Sequence, residues 1–228
     1  MNPSMGKKGL KKLRQARPGF AWLLILILCY LIVSGLEIRH PLMLAVGIVL
    51  RVAIFVLALY VSGLSRKFIL AMVWFGLIVA GMSIPAQMYH GWFEILDLAA
   101  WSLMPLLVPV AILRKIRKEF TGEGVDLEVV LGALCVYLYV GAYFAFLYDA
   151  IATVTKNPFF AQPGADLKLN YIYFSFVTLT TTGYGDLSPA YGPGRMLAVI
   201  EAIIGQLYLV SVVALVVSAY GKGKKSPS

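Results

Sequence analysis

Long apolar runs follow one another along the chain, separated by short polar or basic segments. A helix needs about 20 predominantly apolar residues to cross roughly 30 Å of hydrocarbon, and several of these runs approach that length. The pattern predicts six membrane-spanning helices, at residues 19–36, 42–64, 68–84, 92–113, 127–148 and 195–220. We therefore expect an all-α membrane protein.

The segment between the fifth and sixth predicted helices is too broken to span a membrane by itself. Its prolines and glycines are Pro158, Pro163, Gly164, Pro189, Gly192 and Pro193. Between them lies a short aromatic run at residues 169–179. We interpret this run as a short helix that enters the membrane partway, with the following loop held inside protein rather than exposed to lipid.

Composition agrees with a membrane protein. Hydrophobic residues make up 60% of the chain, charged residues only 14%, and the mean hydropathy is +0.82. A net charge of +9 would suggest a nucleic-acid partner for a soluble protein, but here the basic residues must first be sorted by side of the membrane. We expect no nucleic acid and no nucleotide as partner.

Most of the 20 Lys and Arg residues precede the first predicted helix or follow the second, fourth and sixth. By the positive-inside rule, both termini then lie in the cytoplasm and residues 149–194 are extracellular. We expect a multi-pass protein of the plasma membrane. A basic start before an apolar run also resembles a signal peptide, but residues 19–36 exceed a usual signal core and no small-residue cleavage site follows. An uncleaved anchor is the favoured interpretation.

Enzyme chemistry finds no support in the sequence. Cys29 and Cys135 both sit in apolar helices, and their spacing suggests neither a metal site nor a disulfide framework. We expect a protein that is not an enzyme and has no cofactor.

The run from Thr180 to Asp186 reads Thr-Thr-Thr-Gly-Tyr-Gly-Asp and resembles the signature of potassium channels. A potassium ion leaving water must exchange its hydration shell for oxygens at similar distance, which stacked rings of backbone carbonyls provide. Successive inward carbonyls need dihedral angles that alternate between right- and left-handed regions, and glycine enters the latter without penalty. Hence Gly183 and Gly185 stand two residues apart.

Thr181, Thr182, Gly183, Tyr184 and Gly185 are thus the candidate selectivity filter. The Thr181 hydroxyl can add an oxygen at the cytoplasmic entrance, and the Tyr184 ring can brace the loop from outside. For the filter's support we expect Thr180, Asp186, Tyr173, Phe174 and Glu201. A carboxylate within a spanning helix is expensive and a functional candidate, and its place two turns below Arg195 favours support of the filter from behind over lining the ion path. The helix at 169–179 would point its electronegative end toward the ion path.

The resemblance covers about the last hundred residues and is greatest to bacterial potassium channels. It implies a bacterial protein with six spanning helices and one re-entrant loop, K⁺ as the permeant ion, and a pore in the lipid bilayer. Because each chain supplies one filter strand, three identical subunits would complete a fourfold homotetramer. Thr182 departs from the family, where many members have Val. Val177 replaces an acidic residue that in some members pairs with the acid at the position of Asp186.

The sixth helix supplies further candidates. Gly205 lies where the family commonly has a hinge glycine, although close helix packing through a small residue is an equal alternative. Four residues recur at near-helical spacing and would face the inner cavity, with the last two as a candidate hydrophobic gate: Gln206, Leu209, Val213 and Val217.

The first four helices lack the repeated arginines of a voltage sensor, where each charge moved across 100 mV yields only about 2.3 kcal/mol. We divide the chain into a basic N-terminus (1–18), a four-helix domain (19–113), a cytoplasmic linker (114–126), a pore domain (127–220) and a short tail (221–228). Within the four-helix domain, Arg51 and Asp97 lie at overlapping depths and are predicted to form an ion pair, with Glu94 as the competing partner.

The function expected from the sequence is passive, potassium-selective conduction. A weakly selective cation channel is the first alternative, motivated by Thr182 and Val177. A non-conducting subunit or a transporter is the second, although transporters of related pore design usually carry four pore repeats and only one is present here.

Overall fold

The computed structural model describes residues 19–35, 41–88, 107–120 and 127–214. Within these ranges the chain is built of helices and forms only an isolated β-bridge between Phe160 and Pro189. The helices are α1 (Phe20–Gly35), α2 (Pro41–Val61), α3 (Arg66–Met88), α4 (Leu107–Phe120), α5 (Leu127–Thr155), α6 (Lys168–Leu179) and α7 (Gly192–Tyr208). A π-helical turn at Leu209–Val213 continues α7.

Two of these elements are long and apolar enough to cross a membrane: α5, and α7 together with its π-helical turn. The 16 residues of α1 and residues 49–61 of α2 form shorter apolar helices. The described helices therefore agree with an all-α membrane protein, while the number of spans stays a prediction.

The described parts of α1 and α4 pack against α5, and α2 packs against α1, α3 and α4. The shared core contains Phe20 and Leu23 of α1, Leu59 of α2, Ile112 of α4 and Val136 of α5. These apolar side chains are almost completely buried, as expected for helices that associate through interlocking surfaces. Within one chain, α1 and α4 therefore lie directly beside α5.

Polar contacts hold the start of α1 beside the start of α5. The Phe20 amide donates to Glu128 Oε2 at 2.8 Å, which satisfies one of the free N–H groups at a helix N-terminus. From the end of α4, the Lys115 ammonium lies 4.6 Å from the Phe20 ring centroid. These three helix ends thus lie at one side of the molecule, the side that the charge distribution assigns to the cytoplasm.

Several helix ends differ from the prediction. The fourth helix was predicted to end at Leu113, but α4 continues to Phe120 through residues assigned to a linker. Lys and Arg have good helix propensity, and the glycines that would stop the helix come only at 122 and 124. The fifth helix continues seven residues beyond the predicted end at Tyr148, to Thr155, because no proline or glycine occurs before Pro158.

An aromatic cluster at the far end of α5 fixes the position of α6. Tyr148, Phe159, Phe160, Tyr171 and Phe174 are all buried and pack ring to ring, with centroid distances from 4.9 to 6.1 Å. The bridge between Phe160 and Pro189 ties the loop before α6 to the segment after it. The short helix and the loop that follows it are therefore held from outside by one apolar cluster.

Candidate functional site

The candidate site begins at the C-terminal end of α6, which confirms the short helix predicted at residues 169–179 to within one residue. The Thr182 amide donates to the Val177 carbonyl at 2.9 Å, and the Gly183 amide reaches the same oxygen at 3.3 Å. The Thr181 amide donates to the Thr178 carbonyl at 2.9 Å. The start of the loop is therefore held by hydrogen bonds to carbonyl groups in the last turn of α6.

The backbone of the loop alternates in handedness. Positive φ angles occur at Thr181 (57°), Gly183 (57°) and Gly185 (79°), and Thr182 and Tyr184 between them do not have positive φ. Such alternation directs successive carbonyl groups toward the same side, as the sequence motif requires. The sequence identified the two glycines but not Thr181, whose left-handed conformation costs a β-branched residue about 1–2 kcal/mol. Its amide bond to Thr178 contributes to holding it there.

The hydroxyl of Thr182 has a hydroxyl partner. The Thr180 hydroxyl donates to the Phe176 carbonyl at 2.7 Å, so its single hydrogen is used. The hydroxyl of Thr182 lies 2.9 Å from Thr180 Oγ1 and can donate to it. The side chain of Thr182 is thus bonded back toward α6, which accommodates a polar residue at this position.

The outer end of the loop is supported by Tyr173. Its hydroxyl donates to Asp186 Oδ2 at 2.8 Å, and its ring stacks on Tyr184 with a centroid distance of 6.4 Å and an interplanar angle of 5°. Asp186 therefore has a partner from α6 although Val177 supplies no acid. Phe174, the other predicted aromatic support, lies in the aromatic cluster instead of against the loop.

Much of the site is uncovered within a single chain. All residues from Thr180 to Asp186 are exposed, and the Tyr184 side chain is 71% exposed. On α7, Met196, Ile203 and Leu207 are each more than half exposed despite being apolar. These surfaces belong to a segment that lipid or further protein would cover.

Glu201 is completely buried where α5, α6 and α7 meet. The Tyr148 hydroxyl lies 2.5 Å from Glu201 Oε2, and the Ser175 hydroxyl forms a short contact with Glu201 Oε1. The Ser175 hydroxyl also lies 2.7 Å from the Gly141 carbonyl oxygen, to which it can donate a hydrogen bond. The sequence singled out Glu201 but missed its partners: Ser175 was available as a hydroxyl in the motif segment, whereas nothing local marked Tyr148.

Gly205 lies one turn further along α7, directly against the end of α6. A Cβ atom at this position would stand 2.2 Å from the Leu179 carbonyl oxygen. The glycine thus permits a close approach of two helices, which favours the packing alternative for this residue.

The four residues predicted to face the inner cavity do not all keep the predicted helical spacing. Gln206 and Leu209 are exposed, but the π-helical turn at Leu209–Val213 interrupts the α-helical spacing from which Val213 was assigned to the same face. Val217 lies outside the described residues. The gate therefore stays a prediction whose spacing argument does not hold across the turn.

Arg51 has a partner that the sequence did not suggest. Its Nε donates to the Tyr30 hydroxyl of α1 at 2.9 Å, and the guanidinium carbon lies 5.4 Å from the centroid of that ring. The predicted partner Asp97 and its competitor Glu94 lie outside the described ranges, so the ion pair stays a prediction.

The described residues do not indicate a resident metal centre. No group of three or more His, Cys, Asp or Glu side chains among residues 19–35, 41–88, 107–120 and 127–214 could hold a metal ion.

Residues 132–222 match the sequence model of a family described as an ion channel. The matched region runs from the first turns of α5 through the loop and α7. Neither the curated proteins nor the solved structures gave a match to this chain. The family match supports an ion-channel function for this region, in a membrane and through a multimeric assembly, rather than an enzymatic one.

Proposed function

We propose that the chain is one subunit of a homotetrameric channel that conducts K⁺ passively through the carbonyls of Thr181 to Gly185. The observation that carries this proposal is the alternation of positive φ at Thr181, Gly183 and Gly185. A cation passing this loop meets a succession of carbonyl oxygens without a fixed charge, which is the requirement for replacing the hydration shell of K⁺.

The orientation of α6 adds to the support. Its C-terminal end carries partial negative charge and leads directly into the loop, so a cation is favoured there over an anion. Asp186 adds a carboxylate at the outer end. Both features favour cations in general, whereas the choice of K⁺ over Na⁺ rests on the carbonyl rings alone.

A fourfold assembly is proposed because one chain supplies only one strand of each carbonyl ring. The exposed apolar side chains of α7 are compatible with it, since neighbouring subunits would cover Met196, Ile203 and Leu207. Three identical subunits would cover the exposed loop and bring four strands around one axis. The assembly would lie in the plasma membrane with both termini in the cytoplasm.

The test is the reversal potential of the purified protein in planar bilayers under a K⁺/Na⁺ gradient. The wild type should reverse near the potassium Nernst potential, and Gly183→Ala should lose the selective current because an L-residue is strained at φ 57°. The matched control is Gly164→Ala: Gly164 also has positive φ (72°) but lies in the extracellular loop, and a Cβ there meets nothing within 4 Å. Gly164→Ala should carry the same strain and keep the selective current.

A weakly selective cation channel is the second candidate, and Thr182 in place of valine is the observation that favours it. Equal permeability to K⁺ and Na⁺ in the wild type would decide for this candidate. Selective current in Gly183→Ala would contradict the assignment of the filter. No current from a folded tetramer would favour a non-conducting subunit, and transport that saturates without channel openings would favour a transporter.

A further inference from the structure

The buried carboxyl of Glu201 takes part in a closed set of oxygen contacts. Tyr148 Oη contacts Glu201 Oε2, Ser175 Oγ contacts Glu201 Oε1, and Ser175 Oγ contacts the Gly141 carbonyl oxygen. Every one of these contacts joins two oxygen atoms, so each requires one hydrogen between its partners. All four residues are buried within the described chain.

The hydroxyl groups do not supply enough hydrogens for these contacts. Tyr148 and Ser175 each carry one hydroxyl hydrogen, and a carbonyl oxygen carries none. With an ionised Glu201, two hydrogens would have to serve three contacts, and one pair of oxygen atoms would face each other without a hydrogen. A hydrogen on Glu201 completes the set: Glu201 donates to Ser175, Ser175 donates to Gly141, and Tyr148 donates to Glu201.

Among the residues that the structure describes, no positive charge holds a carboxylate here. On α5 the phenol of Tyr148 contacts Glu201, and on α6 the hydroxyl of Ser175 does; the nearby phenol of Tyr137 donates to the Leu179 carbonyl. Arg195, two turns away on α7, is exposed and donates to the Pro189 carbonyl instead, at 3.0 Å. An unpaired charge buried in protein costs several kcal/mol, which a neutral acid avoids.

We propose that Glu201 is protonated in the folded protein and that its proton links α7 to α6 through Ser175, while the hydroxyl hydrogen of Tyr148 links α7 to α5. The protonated acid is then a positioning residue: it acts on the loop through Ser175 on α6 and touches no ion. Loss of the proton would leave a buried charge, and the single hydrogen of Ser175 could then serve only one of its two contacts, with Glu201 or with the Gly141 carbonyl. The consequence for conduction rests on the proposed function, whereas the protonation does not.

The direct test is infrared difference spectroscopy of the full-length protein in lipid, comparing wild type with Glu201→Gln at neutral pH. The wild type should show the C=O band of a protonated carboxylic acid that Glu201→Gln lacks. Glu128→Gln is the control for removing a glutamate carboxyl elsewhere in the chain, because Glu128 accepts from a backbone amide at the start of α1. A difference spectrum for Glu201→Gln that contains only carboxylate bands would overturn the proposal.

A second measurement compares thermal midpoints of the purified assembly for Glu201→Gln and Glu201→Ala. The amide of Gln can donate to Ser175 and accept from Tyr148, so it imitates the neutral acid and should keep a midpoint near that of the wild type. Glu201→Ala leaves both hydroxyl groups without their partner and should lower the midpoint. If Gln is as destabilising as Ala, a charged carboxylate is required and the inference fails. Neither measurement needs ion flux, so a protein without current would refute the proposed function alone.

Discussion

Gly205→Ala tests whether this glycine serves close packing or a hinge. In the structure, an added Cβ would lie 2.2 Å from the Leu179 carbonyl oxygen and 3.1 Å from the carbonyl carbon. Ordinary contact begins at 3.4 Å, so α7 and the end of α6 must separate by about 1.2 Å. The nearest obstacle is backbone and cannot rotate away.

The Leu179 carbonyl is held from a second direction. It accepts a hydrogen bond from the Tyr137 hydroxyl of α5 at 3.2 Å, so any movement away from α7 disturbs this contact as well. Overpacking of this kind costs about 1–3 kcal/mol, and a backbone obstacle places the substitution at the upper end of that range. The loop begins at the next residue, so we expect both the stability and the ion flux of Gly205→Ala to fall.

The assay is the thermal midpoint of the purified protein together with K⁺ flux into liposomes. Gly81→Ala is the matched control, since Gly81 also lies inside a helix and its added Cβ meets nothing within 4 Å. Replacing glycine by alanine in a helix is favourable by about 0.5–1 kcal/mol where space allows, so the control should be neutral or slightly stabilised. An unchanged midpoint in Gly205→Ala with altered opening would refute the packing argument and favour a hinge.

Two further predictions concern the support of the loop. Tyr173→Phe removes the hydrogen bond to Asp186, so its current should decay faster during sustained recording. Tyr191→Phe is the control, because its hydroxyl lies on an exposed side chain. Equal decay in the two variants would show that the bond does not stabilise the loop. Thr182→Val removes the hydroxyl contact with Thr180 and introduces the residue common in the potassium channels that the motif resembles, so the K⁺/Na⁺ permeability ratio from reversal potentials should stay the same or rise. A lower ratio would mean that the Thr182 hydroxyl itself contributes to selectivity.

Local pattern was sufficient to predict much of the molecule. The apolar runs located every described helix to within a few residues at most ends, because hydrophobic length is a property of consecutive residues. The ends of α4 and α5 were predicted too early because no glycine or proline marks a boundary there, and α3 continues through Pro85 to Met88, four residues beyond its predicted end. The π-helical turn after Tyr208 was not predicted, since its residues are compatible with an α-helix.

The position of the loop and the handedness of its glycines could also be predicted from consecutive residues. Its glycines are spaced by a requirement of the backbone itself, and the structure has positive φ at both. The left-handed Thr181 was not foreseen because the side chain argues against that conformation, and it occurs where neighbouring bonds to α6 hold the chain.

What the sequence by itself determined is the membrane class, the positions of the helices and the loop with its candidate carbonyls, since each depends on residues close together in the chain. Only the tertiary structure decided which residues from different elements contact each other: Tyr173 with Asp186, Gly205 with Leu179, and Glu201 with Tyr148 and Ser175. The physical reason is that hydrophobic length and backbone handedness are local quantities. Contacts between α5, α6 and α7 depend on how three separate helices are turned and packed, which no short segment records.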